Sequence, residues 1–370
     1  MKVTITWIFT AIAITSQACV KAASCRSLRE EPKTLDDCFN EFKNPIAALD
    51  LDTFRENVKG CAWTGHLNTD TDSIAGAIGA ADLFDGIAAR SSEMNDESKW
   101  VLEQYNLTAP EYIGDFPDKS VCLVDVNQIT QLPQDLDTNR IVGIVDHHAL
   151  QSSTVVIDTP VRIDIRPVGS ASTIVATYYG SANKPMSEVI AGVLMSAILS
   201  DTLNLNSPTT TELDKMMLTC LAKQSKTSDL DSYADAMFKA KANGFNNLDD
   251  DEVVRADTKE FDLCGNNVVW ATVETTDPAS MMARKEALAE AMKKLKIEKD
   301  AKYVFLSIVD IVNLNTDLIL IGEDERELAI EAFKAQVNAD EELVMNIGNL
   351  VSRKKDFIPT VQNAICGDEE

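Results

Sequence analysis

Short runs rich in β-branched residues alternate with longer runs of helical periodicity between about residues 59 and 241. The predicted strands lie at residues 60–65, 121–126 and 140–145, and the predicted helices lie at residues 73–90, 187–199 and 208–223. Such alternation is typical of a mainly parallel sheet that is covered by helices on both faces. The fold class that we expect is therefore α/β.

A second pattern follows in the last third of the chain. Strands are predicted near residues 267–273, 303–312 and 318–321, with a charged helix across residues 279–295. Between the two patterns, NGFNN at residues 243–247 has turn chemistry, and an acidic run follows it. We interpret residues 243–253 as a hinge linker between one domain at residues 59–242 and a smaller α/β domain at residues 254–370.

The first 22 residues predict a signal peptide. Lys2 is followed by an apolar run between Trp7 and Ile14, and small residues lead to a cleavage position after Ala22. The run is too short to be a stable membrane span, so we expect a secreted, lumenal or periplasmic protein with an N-terminal extension at residues 23–58. An uncleaved anchor and a lipoprotein signal ending at Cys19 are the alternatives.

Charge and cysteine content narrow the classes of function. The chain has 59 acidic and 34 basic residues, a formal net charge of -25, so we expect no nucleic-acid partner. Cys25 and Cys38 could form a disulfide. Cys61, Cys122 and Cys220 lie in apolar runs that predict buried free thiols. No CxxC pair occurs, which argues against a cysteine zinc site or a thioredoxin-like centre.

Candidate chemistry concentrates where predicted strands end. The sequence GHLNTDTDS at residues 65–73 joins a strand to a helix, which is where open α/β sheets bind ligands. His66, Asp70 and Asp72 can converge there as one imidazole and two carboxylates. Helix capping would explain one of the two acids, but it does not explain all three residues. A GxGxxG fingerprint and a P-loop lysine are both absent from this turn.

Further acids and histidines also lie at the ends of apolar runs. Asp125 ends the run VCLVD, DHH at residues 146–148 ends the next apolar run, and Asp201 follows a third. As loop residues or helix caps, single acids at such positions are ordinary. Together the candidates can supply two adjacent cations with shared ligands, and they are His66, Asp70, Asp72, Asp125, His147 and Asp201. Mixed imidazole and carboxylate donors favour Mn²⁺ or Co²⁺, while Mg²⁺, Zn²⁺ and Fe²⁺ remain open.

These motifs resemble the four signature motifs of the DHH phosphoesterases. They are HLNTDTDS at residues 66–73, LVD at 123–125, DHH at 146–148 and SDT at 200–202. Three further segments resemble motifs of the family II, manganese-dependent inorganic pyrophosphatases. They are RPVGSAS at residues 166–172, ADTKEF at 256–261 and VSRKK at 351–355. The resemblance extends from residue 63 to residue 364.

The resemblance implies a DHH domain followed by a DHHA2 domain with a mixed sheet, usually in a homodimer. It implies one metal at His66, Asp70 and Asp125. A second metal would lie at Asp72, Asp125, His147 and Asp201, so that Asp125 bridges the two. The residues implied to bind substrate phosphates are His148, Lys259, Arg353 and Lys354.

The activity implied is hydrolysis of pyrophosphate to two phosphates. Two metals a few ångströms apart can acidify a bridging water and hold phosphoryl oxygens. We therefore predict attack on phosphorus by a hydroxide that bridges the two metals, which Asp125 also bridges. The leaving phosphate would be stabilised by cations and protonated by His148. Closure of the second domain would exclude bulk water.

Three positions depart from the family pattern. Val126 and Gln128 stand where the family usually has His and Glu, and Thr69 replaces a common Pro. None of these changes removes an expected metal ligand, although the first two can alter hydrogen bonding around the ligands. Two other functions therefore remain open. One is an exopolyphosphatase acting on longer polyphosphate, and the other is a catalytically impaired metal-binding or phosphate-binding protein.

Overall fold

The computed structural model describes residues 45–335 and 343–367 of the chain. The predicted signal peptide and the predicted Cys25–Cys38 disulfide lie outside these residues. In the described part, no helix has both the length and the apolar character needed to cross a membrane.

The N-terminal domain alternates strands and helices. Its strands are β1 (Ala62–Thr64), β2 (Ile87–Arg90), β3 (Glu111–Tyr112), β4 (Val121–Val124), β5 (Ile141–Asp146) and β6 (Arg162–Ile165). Its helices are α1 (Pro45–Val58), α2 (Thr71–Phe84), α3 (Asp96–Gln104), α4 (Ala171–Ala182), α5 (Glu188–Asp201), α6 (Glu212–Ser225) and α7 (Leu230–Asn247). Helix α7 leads into the second domain.

All six strands of this domain form one parallel sheet, in the order β3-β2-β1-β4-β5-β6. The first three strands extend the sheet in one direction from β1, and the next three extend it in the other direction from β4. The point of reversal between β1 and β4 is a topological switch point, and ligands bind in the crevice at such points. The predicted α/β class is confirmed, and the predicted ligand motifs follow β1, β4 and β5.

The C-terminal domain has a mixed sheet, as the resemblance implied. Its strands are β7 (Thr258–Leu263), β8 (Asn266–Thr275), β9 (Tyr303–Asp310), β10 (Asn315–Ile319) and β11 (Val344–Gly348). Only β8 and β9 are parallel in the order β11-β10-β9-β8-β7. The helices are α8 (Asp250–Ala256), α9 (Pro278–Met282), α10 (Lys285–Glu298), α11 (Glu323–Phe333) and α12 (Ile358–Cys366), with a π-helical turn at Arg353–Phe357.

An aromatic stack in the C-terminal core supports the basic π-helical turn. Trp270 is fully buried and stacks on Phe305 with ring centroids 4.7 Å apart and on Phe357 with centroids 5.3 Å apart. Phe357 is the last residue of the turn that carries Arg353 and Lys354. Burial of such a ring contributes about 1.5–3 kcal/mol. The turn is therefore anchored to the core at one end.

Three predicted elements are corrected by the structure. The helix predicted at residues 73–90 ends at Phe84, because Asp85 adopts a left-handed conformation and the chain reverses into β2. Gly86 permits this reversal, since an added Cβ atom would lie 2.7 Å from the carbonyl oxygen of Cys61. The charged helix predicted at residues 279–295 is two helices, α9 and α10.

The turn predicted at residues 243–247 is also wrong, because α7 continues to Asn247. Gly244 does not break the helix; it lies where α7 approaches α3, and an added Cβ atom would be 3.0 Å from Asp96 Cβ. Phe245 is buried and keeps the last turn packed. Only Leu248 and Asp249 lie between α7 and α8, and Asp249 is the N-cap of α8.

The cysteines are distributed differently from the prediction. Cys61 and Cys122 are buried free thiols, as predicted, but Cys220 is disulfide-bonded. A second disulfide joins Cys264 to Cys366 across 102 residues. Spacing along the chain could not reveal this pair, because β7 and α12 come together only in the folded domain.

Candidate metal centre and phosphate site

The first ligand segment connects β1 to α2. Gly65 is needed at its start, because an added Cβ atom would lie 2.3 Å from Ser73 Cβ. The tight turn places His66 Nε2 at 3.2 Å from Asp70 Oδ2 and at 3.3 Å from Asp125 Oδ2. The structure therefore brings together three of the predicted ligands.

Asp70 and Asp72 each have a structural role as well. Asp70 is the N-cap of α2, where its Oδ1 accepts from Ser73 N at 3.0 Å, while its Oδ2 faces His66. Asp72 accepts hydrogen bonds at the start of α4, from Ala171 N at 2.6 Å and from Ser172 N at 2.9 Å. Asp70 thus divides the two roles between its two oxygens, whereas both oxygens of Asp72 accept hydrogen bonds and its Oδ2 also faces His147.

Asp125 lies at the centre of the site. It follows β4 in a left-handed conformation with φ of 62°, which Asp tolerates better than most residues. Its Oδ1 lies 3.2 Å from His147 Nε2, and its Oδ2 accepts from Ser73 Oγ at 2.8 Å. Burial raises the pKa of Asp125, but His147 and His66 together hold it well below its usual range.

The DHH triplet at the end of β5 is organised by Asp146. Its Oδ1 accepts from His148 Nδ1 at 2.9 Å and from the main-chain nitrogen of His147 at 2.7 Å. Its Oδ2 accepts from Asn127 Nδ2 at 2.5 Å. His147 Nδ1 is 3.1 Å from the carbonyl oxygen of Val168, so its Nε2 is directed to the other ligands. Asp146 is thus a supporting residue, a role that the sequence pattern did not indicate.

Asp201 completes the group from the last residue of α5. Its Oδ2 lies 3.5 Å from His147 Nε2, and Asp72 Oδ2 lies 3.9 Å from the same nitrogen. Burial raises the pKa of Asp201 well above its usual range, and the carboxylates of Asp72, Asp70 and Asp125 raise it further. A cation among these carboxylates would relieve that repulsion.

Ligand atoms in two sets lie close enough for a common ion. The first set is His66, Asp70 and Asp125, and the second set is Asp72, Asp125, His147 and Asp201, each with its ligand atoms within 4.8 Å of one another. Asp125 belongs to both sets. A third set combines Asp125 with the DHH triplet, but the oxygens of Asp146 are already occupied by hydrogen bonds.

Unpartnered atoms show that these residues fit metal ions. Among the described residues, His66 Nδ1 has no hydrogen-bond partner, and His66 Nε2 and Asp125 Oδ1 are buried with only other candidate ligand atoms nearby. Buried polar atoms without good hydrogen bonds are costly unless another group binds them. Burial lowers the pKa of His66, yet the charge of Asp70 raises it to about 10. The pocket therefore favours positive charge, and a metal ion would compete with protons for it.

Cations reach this site from the C-terminal domain. Lys259 Nζ lies 3.4 Å from His148 Nε2, and Lys354 Nζ donates to the main-chain oxygen of His147. Arg353 Nη2 lies 2.8 Å from Asp257 Oδ1, so its charge is shared with a carboxylate. In the described part of the chain, neither Lys259 nor Lys354 forms an ion pair. Both ammonium groups can therefore bind an anion.

A cavity of 780 Å³ separates the two domains at this point. Asp125, His148 and Asp201 line it from one side, and Lys259 and Arg353 line it from the other. Lys259, Arg353 and Lys354 therefore face the predicted metal ligands that line the cavity, whereas His148 lies on the same side as those ligands.

The departures from the family pattern are accommodated locally. Val126 is buried in an apolar cluster with Leu123 and Ile144. Gln128 donates to Gln151 Oε1 at 3.1 Å and accepts from Ser153 Oγ at 2.8 Å. Both side chains therefore have partners outside the six predicted metal ligands.

Comparisons with known proteins identify the two domains. The DHH family, N-terminal domain, matches residues 62–198, and the DHHA2 domain matches residues 235–364. A manganese-dependent inorganic pyrophosphatase of Methanocaldococcus jannaschii is 33% identical over 312 residues, covering 82% of this chain and 98% of the relative. Another from Methanothrix thermoacetophila is 32% identical over 308 residues, covering 81% and 96%.

A solved structure supports the same relationship. The crystal structure of a Methanococcus jannaschii protein assigned to the family II inorganic pyrophosphatases has a TM-score of 0.74 and 30% sequence identity to this chain. The match covers 82% of this chain and 99% of that one. The chain therefore belongs to the manganese-dependent, or family II, inorganic pyrophosphatases, with a DHH domain followed by a DHHA2 domain.

Proposed function

We propose that this chain hydrolyses pyrophosphate at a two-Mn²⁺ site between its domains. The observation that carries the proposal is the position of Asp125, which belongs to both ligand sets. Lys259 and Lys354 approach these sets from the opposite wall. A bridged pair of ions beside free ammonium groups is suited to a small, highly charged phosphate ester or anhydride.

The metal ions would supply an acidified water and would neutralise phosphoryl oxygens. The protein groups would bind and orient the substrate. Lys259 and Lys354 offer point charges, and Arg353 offers a planar donor group that Asp257 orients. Facing walls that close on the substrate also exclude bulk water, which strengthens each of these interactions.

His148 can take part in proton transfer to the leaving phosphate. Burial lowers its pKa, and Lys259 lowers it further, to about 4. With Nδ1 directed at Asp146, the neutral ring offers Nε2 to the cavity as an acceptor. A bound phosphate anion would favour protonation of this nitrogen, and His148 would then become a donor.

Exopolyphosphatase activity is the alternative, and the charges in the cavity argue against it. Three other cations that line the cavity have carboxylate partners. Lys99 lies 2.9 Å from Asp96, Arg255 lies 2.7 Å from Glu298, and Lys241 is paired with Glu274. A third and fourth phosphate would therefore find no free cation among these groups. Short substrates fit this distribution better than long ones.

A metal-by-substrate screen tests the proposal. The protein should start at Ala23, and phosphate release should be measured from pyrophosphate and from long-chain polyphosphate with Mn²⁺, Co²⁺ or Mg²⁺. We expect the highest turnover with pyrophosphate and with Mn²⁺ or Co²⁺. A strong preference for long polyphosphate would establish the alternative, and metal binding without turnover would establish an impaired binding protein.

We further propose that the protein acts outside the cytoplasm. The apolar N-terminal run and the Cys264–Cys366 disulfide both support this setting, since disulfides persist in oxidising compartments. The homodimer that the family resemblance implies stays a prediction, which light scattering of the purified protein would check.

A further inference from the structure

A buried carboxylate outside the six predicted ligands connects two ligand-bearing segments. Glu97, in the first turn of α3, has no exposed surface. Its Oε2 accepts from Thr71 Oγ1 at 2.9 Å and from Ser200 Oγ at 2.8 Å. Thr71 is the middle residue of the segment 70–72, and Ser200 immediately precedes Asp201. One oxygen thus joins the ligand-bearing ends of α2 and α5.

The charge of Glu97 is compensated from the helix that joins the domains. Lys241 of α7 places its Nζ at 3.8 Å from Glu97 Oε2 and donates to Glu274 of β8. Helix α7 packs against α3 and α5 on one side and against β8 on the other. Glu97, Lys241 and Glu274 therefore form a chain of charges that extends from the metal centre into the C-terminal domain.

A purely structural role does not explain this chain well. Buried ion pairs often contribute no more to stability than apolar side chains of similar volume would. One turn after Glu97, the same helix buries the apolar residues Val101 and Leu102. Glu97 instead accepts hydroxyl hydrogen bonds from two different ligand segments, which an apolar side chain could not do, and its negative charge strengthens both bonds.

We propose that Glu97 is a positioning residue for the metal centre, and that Lys241 and Glu274 connect Glu97 to the C-terminal domain. The inference rests on the metal site of the proposed function and not on its substrate. Two carboxylate-bearing segments can share cations only while their spacing is fixed, and hydrogen bonds behind the ligands provide that constraint. Glu97 fixes residues 70–72 relative to Asp201.

The first test is Mn²⁺ binding to the full folded chain, measured by calorimetry or by electron paramagnetic resonance without substrate. Glu97→Gln keeps the shape of the side chain and removes its charge. We expect its Mn²⁺ affinity to fall roughly 10- to 100-fold, the range typical of groups that orient metal ligands. Glu103→Gln, on the exposed side of α3, should bind Mn²⁺ as wild type does. Unchanged affinity in Glu97→Gln would overturn the proposal.

A serine pair on α5 gives a second test in case Glu97→Gln does not fold. Ser200→Ala removes one hydroxyl from Glu97. Ser196→Ala removes a buried hydroxyl one turn earlier, which bonds instead to the Gly192 carbonyl and Tyr233. We expect Ser200→Ala to weaken Mn²⁺ binding several-fold and Ser196→Ala to leave it unchanged. Equal affinities in the two variants would contradict the positioning role.

Turnover separates this inference from the proposed function. If wild type fails to hydrolyse pyrophosphate, the proposed function is wrong, but the Mn²⁺ titrations still decide the role of Glu97. If wild type is active, saturating Mn²⁺ should restore most of kcat in Glu97→Gln, and a defect that persists at saturation would count against positioning. Lys241→Met should also weaken Mn²⁺ binding, because Glu97 loses its compensating charge; unchanged binding would remove Lys241 from the proposal.

Discussion

His148 Nε2 lies 3.4 Å from Lys259 Nζ, although the two residues are 111 positions apart and belong to different domains. The contact joins the two walls of the cavity near Asp125, whose Oδ1 lies 3.5 Å from His148 Nδ1. It also keeps the imidazole neutral, because burial and the ammonium group together lower the pKa of His148 to about 4. An anion that enters between the two residues would gain the ammonium as a partner and would favour protonation of the imidazole.

Replacement of the shared ligand should remove both metal ions. Asp125→Ala takes a carboxylate from both ligand sets, so we expect Mn²⁺ affinity and pyrophosphate hydrolysis to fall by more than about 100-fold. Calorimetric titration with Mn²⁺ and a phosphate-release assay would measure the two effects. Asp118→Ala, an exposed acid before β4, is the control. Near-normal turnover in Asp125→Ala would contradict the two-metal site.

Two adjacent lysines should differ sharply in their effect on substrate. Lys354 contacts the main chain of His147, whereas Lys355 is exposed on the same π-helical turn. Lys354→Met should lower kcat/KM for pyrophosphate about 10- to 100-fold, since a charge-assisted hydrogen bond contributes about 1.5–3 kcal/mol. Lys355→Met should change it little. Steady-state kinetics at saturating Mn²⁺ provide the comparison, and similar values for both variants would exclude Lys354 from substrate binding.

The C-terminal disulfide should contribute substantially to stability. The double variant Cys264→Ser and Cys366→Ser opens a loop of 102 residues, and we expect the free energy of unfolding to fall by about 2–5 kcal/mol. Denaturant unfolding under non-oxidising and non-reducing conditions would measure the difference, with peptide mapping to verify the bond in wild type. An unchanged unfolding midpoint would show that the bond does not constrain the unfolded chain.

Acid should weaken a specific contact of the N-terminal domain. Asp164 accepts from Arg166 Nε at 2.8 Å and from Tyr178. Burial raises the pKa of Asp164, but Arg166 and Tyr178 outweigh burial and lower it. Because the pKa of Asp164 is lower in the folded protein, its ionised form stabilises the fold above the unfolded pKa of about 4. This stabilisation is lost as the pH falls from that value through the folded pKa.

The variant Asp164→Asn should therefore lower the free energy of unfolding by about 1–3 kcal/mol at pH 7. The difference from wild type should shrink below about pH 4. Asp158→Asn, an exposed change on the preceding loop, serves as the control. A difference that stays constant between pH 7 and pH 3 would contradict this account.

The N-terminal segment should direct export. Expression of the full chain in a secretion-competent host should give extracytoplasmic protein that starts at Ala23, since cleavage is predicted after Ala22. Mass spectrometry of the intact protein would read the start. Retention of Met1 would indicate an uncleaved anchor, and a lipid-modified Cys19 would indicate a lipoprotein.

The sequence by itself indicated the alternation of strands and helices and the residues that could bind metal ions. His66, Asp125 and His147 each lie beside a short apolar run, and such runs reveal strands through local periodicity alone. In a parallel sheet, the residues after the strands meet at one edge. The pairing of imidazole with carboxylate could therefore be expected before any tertiary contact was known.

Only the tertiary structure decided which residues support the candidate metal ligands and which residues lie across the cavity from them. Glu97 accepts hydrogen bonds from Thr71 and Ser200, yet no periodicity marks it, because these partners are more than 25 positions away. The Cys264–Cys366 bond and the approach of Lys259 to His148 likewise join distant segments. Local sequence specifies backbone preference and burial pattern, whereas such contacts depend on how whole elements pack against one another.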